Sequence, residues 1–186
     1  MATLSQTTPP LGWTAQDFDL EGTDGKRHRL ADLRGAKGTL VMFICNHCPY
    51  VKLIRTGLAH LGRVYQPKGA AIVGINSNDA VNYTDDNPAS MRAEVATVGY
   101  TFPYLFDETQ AVAKAYRAAC TPDFFLFDGN LKLVYRGQFD GSRPGSGIPV
   151  TGEDLRAAMD AVLAGSPVAV EQKPSIGCNI KWKGSY

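Results

Sequence analysis

The segment Cys45-Asn46-His47-Cys48 places two thiols within one turn of chain, with an imidazole between them. Two thiols at this spacing can close to a disulfide and reopen, exchanging two electrons each time, and the attacking species is a thiolate. A thiolate is favoured where the unpaired N–H groups and positive dipole end of a helix face the sulfur. On that ground Cys45 is expected to be the more exposed attacking sulfur. Cys48 is expected to resolve the mixed disulfide from inside the helix. His47 can add positive charge beside Cys45 and lower its pKa, although an exposed histidine with no electrostatic role fits equally well. Cys-x-x-Cys is also half a zinc site. With Cys120, Cys178 and His47 it gives a reading of another class, a zinc-stabilised binding module, against which Cys120 and Cys178 each stand alone in the sequence. Dithiol chemistry itself requires no cofactor and no metal.

The flanking sequence shows which elements hold the pair. Thr39 to Ile44 is a continuous apolar run, rich in β-branched and aromatic side chains, and reads as a buried strand. After Cys48 the period changes. Val51, Ile54, Leu58, Leu61 and Tyr65 mark one face of an amphipathic helix that Pro67 and Gly69 stop. Ala70 to Ile75 is a second apolar strand, followed by a polar loop from Asn76 to Asn87. Strand, helix and strand make a βαβ unit with the dithiol at its first junction, where Pro49 is tolerated in a first turn.

Elsewhere, residues 1–16 read as an irregular lead-in, and Phe18 to Leu30 as a short hairpin turning at Gly22 to Gly25. Ala31 to Leu33 suits a single helical turn. Pro88 opens a helix to about Val98, and another covers about Gln110 to Ala118. Phe124 to Phe127 and Leu131 to Tyr135 form a hairpin across Asp128-Gly129-Asn130, and Thr151 is placed to N-cap a last helix carrying Leu155, Met159 and Val162. In the tail, Ile176, Cys178, Ile180 and Trp182 alternate with Gly177, Asn179, Lys181 and Lys183, the period of a half-buried strand, so the tail is expected to dock.

The chain of 186 residues is expected to form one domain, with a core over about 17–164 and a tail over 165–186. Hydrophobic residues at 44% support a core that needs no staples, and a net charge of +1 without one-sign runs argues against a nucleic-acid surface. The longest apolar run falls far short of the about 20 residues that span a bilayer, so no membrane role is expected. The N-terminal segment lacks a secretory pattern, which makes the cytoplasm the default expectation, and there a paired Cys motif is more often catalytic or metal-binding than structural.

The order of these motifs resembles the thioredoxin-like superfamily, in particular its AhpC/TSA–redoxin and TlpA-like branch. The resemblance covers roughly Phe18 to Leu163. It rests on Asp24-Gly25-Lys26, Asp32-Leu33-Arg34-Gly35, the strand ending in Cys-x-x-Cys-Pro, and Thr121-Pro122 followed by the run from Asp123 to Asp128. It implies an α/β thioredoxin-like fold, with a central mixed sheet flanked by helices, and a thiol-disulfide oxidoreductase whose partner is another dithiol or disulfide protein. It further implies that Pro122 is cis and faces the dithiol, with Thr121 binding substrate and with Asn46 and His47 tuning the site. Cys120, beside that turn, and Cys178, on the tail, then become possible additional redox thiols, with plain packing as the alternative for both.

The departures are specific. Ile44 replaces the tryptophan usual before the first cysteine, and Asn-His replaces Gly-Pro as the spacer, similar to the histidine spacers of disulfide isomerase and DsbA families. Thr39 stands near the usual place of an assisting carboxylate, which leaves the proton acceptor unassigned. The rival reading on the same fold is a thioredoxin-dependent, antioxidant peroxidase. Its Pro-x-x-x-Thr-x-x-Cys pattern is absent, with Gly38 and Met42 at the two diagnostic positions before Cys45.

Overall fold

A computed structural model describes residues 2–5 and 8–184. In chain order the elements are β1 (Ala2–Leu4), β2 (Asp19–Gly22), β3 (Arg27–Arg29), α1 (Leu30–Leu33), β4 (Gly38–Phe43), α2 (Pro49–Tyr65) and β5 (Ala70–Asn76). There follow α3 (Pro88–Val98), β6 (Tyr104–Phe106), α4 (Ala111–Tyr116), β7 (Cys120–Thr121), β8 (Asp123–Asp128), β9 (Leu133–Tyr135), α5 (Glu153–Leu163) and β10 (Ile176–Asn179). Seven strands form a mixed sheet in the order β3-β2-β6-β5-β4-β8-β9. β4 and β6 run parallel to β5, and the other pairs are antiparallel.

The continuous apolar runs follow from burial on both faces of this sheet. Leu40 and Met42 of β4 pack with Phe124 and Leu126 of β8 beneath α2 and α5. Val41 and Phe43 pack on the opposite face with Phe125, Phe127 and Tyr116 of α4. The expected stripe of α2 is buried at Val51, Ile54, Leu58, Leu61 and Tyr65, and burial of each such aliphatic side chain contributes about 1.5–3 kcal/mol. This mixed sheet with helices on both faces is a thioredoxin-like fold, with the expected hairpin at one sheet edge. Among the described residues no helix is long and apolar enough to cross a membrane.

Several local expectations give way. The lead-in is not wholly irregular: β1 pairs antiparallel with β10, and Thr14 bridges to Lys132. Three polar-flanked residues become a strand only because β10 offers them an edge. Helix α5 is capped by Gly152 in the left-handed region rather than by Thr151. The Thr151 hydroxyl still accepts from the Glu153 amide at 3.3 Å, while the Thr151 and Gly152 amides donate to Asp140 Oδ2 at 2.7 and 2.6 Å and hold the approach to the helix. The docked tail is as expected, and β10 completes a three-stranded sheet in the order β1-β10-β7.

Candidate active site

Cys45 follows the end of β4, and Cys48 is the N-cap of α2, because the helix begins at Pro49. Both sulfurs are covered: Cys45 is 2% and Cys48 0% exposed. Both residues are thus buried, with Cys45 only marginally the more exposed, and Cys48 lies at the mouth of the helix rather than, as expected, inside it. The Thr121–Pro122 bond is cis, as expected, and Thr121 lies between the two thiols. Cys45 Sγ is 3.2 Å from the Thr121 hydroxyl oxygen, and Cys48 Sγ is 3.2 Å from the Thr121 carbonyl oxygen.

The electrostatics also differ from expectation. Burial pushes the Cys45 thiol well up, and its hydrogen bond toward Cys48 and the negative charge of Asp86 push it further. Cys48 is drawn down to about 4, chiefly by the Cys45 S–H aimed at it and despite burial, with help from the Cys178 thiol and the Val51 amide. The two sulfurs titrate as a pair holding one proton. The two opposite shifts favour the proton on Cys45 and the charge on Cys48. The position of the helix start adds a smaller contribution by turning the Val51 amide toward Cys48.

His47 has a ring nitrogen within 4.8 Å of the Cys45 sulfur and is engaged by neighbours rather than free. Its Nδ1 is bonded to the buried Asp86 carboxylate, and its ring stacks on Tyr83 with centroids 5.3 Å apart. Asp86 also accepts from the Asn46 amide at 2.7 Å and the Asn78 side-chain amide at 2.9 Å. Burial would raise this carboxyl, but the bonds from His47, Asn78 and Asn46 hold it below the ordinary value. Asn46 points inward as well, donating to the Asp85 carbonyl at 2.8 Å and accepting from the Tyr104 hydroxyl at 3.0 Å. The spacer therefore anchors the dithiol loop.

Below the cis-proline, the buried Asp123 accepts from the Ala119 amide at 3.0 Å and from Arg136 at 3.1 Å, which fixes the turn. Cys120 is buried, and its hydrogen bond goes to the Pro122 carbonyl at 3.5 Å rather than to another sulfur; burial pushes its pKa far up. Cys178 behaves differently. It sits on β10 opposite Thr121, with its Sγ 2.7 Å from Cys48 Sγ. Of the metal-ligating types, Cys45, His47 and Asp86 have ligand atoms within 4.8 Å of one another. That set differs from the four-cysteine site considered above, and His47 and Asp86 already satisfy each other.

Asp86 is the residue that sequence reasoning missed. It lies in the polar loop expected between β5 and α3, beside Asn87, which caps α3 by accepting from the Ser90 amide at 2.8 Å.

The fold and the dithiol beside a cis-proline define a member of the thioredoxin-like class. The model of the AhpC/TSA family matches residues 11–136, and the chain belongs to that family. It is 30% identical over 159 residues to the thiol-disulfide oxidoreductase ResA of Geobacillus thermodenitrificans, an alignment covering 84% of this chain and 80% of that one. A crystal structure of an uncharacterized conserved protein from Geobacillus kaustophilus superposes with a TM-score of 0.97 at 56% identity, covering 100% of this chain and 98% of that one. The thioredoxin domain of a thiol-disulfide oxidoreductase from Bacteroides vulgatus shares the fold, with a TM-score of 0.59 at 19% identity over 69% of this chain and 89% of that one.

Proposed function

We propose that Cys45 and Cys48 are the reacting sulfurs of a thiol-disulfide oxidoreductase that exchanges electrons with a dithiol or disulfide protein. The protein is an oxidoreductase acting on sulfur groups. The observation that carries the site assignment is the placement of both sulfurs against Thr121 of the cis-proline turn. Cys48 stands at a helix N-terminus, its thiol drawn down while that of Cys45 is pushed up, and it can serve as the adjacent base. An adjacent base of this kind activates a nucleophile, so Cys48 supplies the proton acceptor that the sequence left unassigned.

Cys45 attacks one sulfur of an incoming disulfide as its proton passes to Cys48. The S–S bond of the substrate breaks, a mixed disulfide forms on Cys45, and the expelled thiolate takes the proton from Cys48. Cys48 thiolate then attacks Cys45 Sγ, closing the Cys45–Cys48 bond and releasing the second substrate sulfur, which takes a proton from water. The substrate gains two electrons and two protons, and the reverse sequence oxidises a dithiol partner.

The test compares purified protein with Cys45→Ser and Cys48→Ser against a disulfide substrate and against hydrogen peroxide. Disulfide turnover should fall about 100-fold or more in both variants. Peroxide consumption that survives Cys48→Ser and exceeds any disulfide turnover would replace this reading with the peroxidase.

A further inference from the structure

We propose that Cys178 is a third redox thiol, which takes over the disulfide from the buried pair by exchange with Cys48 and so links that pair to an external partner. The inference rests on the dithiol reading above and extends it to a residue on a different element. Its central observation is the juxtaposition of Cys178 Sγ and Cys48 Sγ at 2.7 Å, which leaves a shift of under about 1 Å to reach the about 2.05 Å of a covalent S–S bond.

Cys178 is held there by construction. β10 is paired on both sides, with β1 along one edge and β7 along the other, so the sulfur rides on a fixed strand. In that ladder Cys178 lies opposite Thr121, the residue that touches both Cys45 and Cys48. The neighbouring residue is Gly177, and a Cβ there would collide with the Thr121 carbonyl and crowd the Pro122 nitrogen. Only a residue without a side chain lets the tail backbone approach the cis-proline turn closely enough to bring Cys178 to Cys48. Among the three sulfurs Cys178 is also the one with partial exposure, while Cys45 and Cys48 are covered.

The step is an internal exchange that needs no added oxidant. In the oxidised protein, Cys178 gives its proton to water and its thiolate attacks Cys48 Sγ. The Cys48–Cys178 bond forms, the Cys45–Cys48 bond breaks, and Cys45 leaves as a thiolate that takes a proton. An external dithiol then attacks Cys178 Sγ, expels Cys48 as the thiolate its surroundings favour, and completes the reduction through its second thiol. Burial, the hydrogen bond to Cys48 and the Cys48 charge hold the resting Cys178 thiol up at about 12, and tying Cys48 up in a disulfide removes the last two of these restraints.

Disulfide mapping by mass spectrometry under non-reducing conditions tests this directly. Wild-type protein equilibrated with oxidised and reduced glutathione should contain both Cys45–Cys48 and Cys48–Cys178 bonds. Cys45→Ser should form an intramolecular Cys48–Cys178 bond. Cys178→Ser should form Cys45–Cys48 normally, yet be reduced by dithiothreitol about tenfold or more slowly than wild type, since access governs exchange. If Cys45–Cys48 forms but Cys48 and Cys178 are never linked in wild type or in Cys45→Ser, the relay is overturned and the dithiol reading stands. If no Cys45–Cys48 bond appears in wild type or Cys178→Ser, both fall. The wild-type map needs no substitution and decides between these outcomes even where a variant does not fold.

Discussion

Replacing Asp86 probes the support of the dithiol loop without touching a sulfur. In Asp86→Ala the buried Asn46 amide and the Asn78 side-chain amide lose their acceptor, and His47 loses its partner. Each buried donor left unsatisfied costs about 1–3 kcal/mol. His47 retains some exposure, so water can replace its partner and its share stays under about 1 kcal/mol. The expected loss is about 3–5 kcal/mol, or about 6–20 °C in Tm at about 2–4 °C per kcal/mol for a chain of this length. Asp86→Asn keeps an oxygen for Asn46 but sets an NH₂ against Asn78, and should cost about 1–3 kcal/mol. Urea unfolding of the reduced proteins, followed by circular dichroism, measures both. Folding holds the Asp86 carboxyl below its ordinary 3.8, so its contribution is complete above that value and is lost as pH falls through the lower folded one. The gap between wild type and Asp86→Asn should therefore narrow below about pH 4. A loss under about 1 kcal/mol for Asp86→Ala, or a gap that widens in acid, would refute the account of this carboxylate as the anchor of the loop.

Two further outcomes follow from the same geometry. The ultraviolet thiolate absorbance of reduced protein should titrate with a midpoint of about 4, and Cys48→Ser should abolish that step. Because Cys48 is held below its ordinary 9.0, its contribution to reduced-state stability is full above that value and fades as pH falls to about 4; a midpoint near 9 would contradict the proton assignment. Gly177→Ala should cost about 1–3 kcal/mol by forcing the tail off the Thr121 carbonyl. Hydrogen exchange at the β10 amides should accelerate, and unchanged protection there would show that the tail tolerates the methyl group.

The long periodic elements were legible because burial writes them directly into the sequence: β4 and β8 as unbroken apolar runs, α2 as a stripe from Val51 to Tyr65. The dithiol and the cis-proline were legible as motifs. The three-residue strands β1 and β6 were not, since each takes its conformation from a neighbour rather than from its own side chains. The electrostatic assignment failed for a related reason. Cys48 is drawn down chiefly by the Cys45 thiol, with a smaller share from the Val51 amide of a helix that starts at Pro49. The carboxylate that engages His47 lies 39 positions away, beyond any local pattern. Cys178 was visible as an alternating tail residue, but its approach to Cys48 depends on β7 and on the missing side chain at Gly177.

The ladder joining Ala2 to Cys178 ties two stretches far apart in the sequence into one corner. Closing so large a loop adds little thermodynamic penalty over a mid-sized one, but it makes this corner late in any order of assembly. During vectorial synthesis the first two cysteines emerge long before the sulfur that sits against them, and β1 waits without its neighbour until β10 arrives. A single cleavage in the stretch between α5 and β10 would thus leave the third thiol, the cover of the Thr121 backbone and the partner of β1 all held by non-covalent pairing alone.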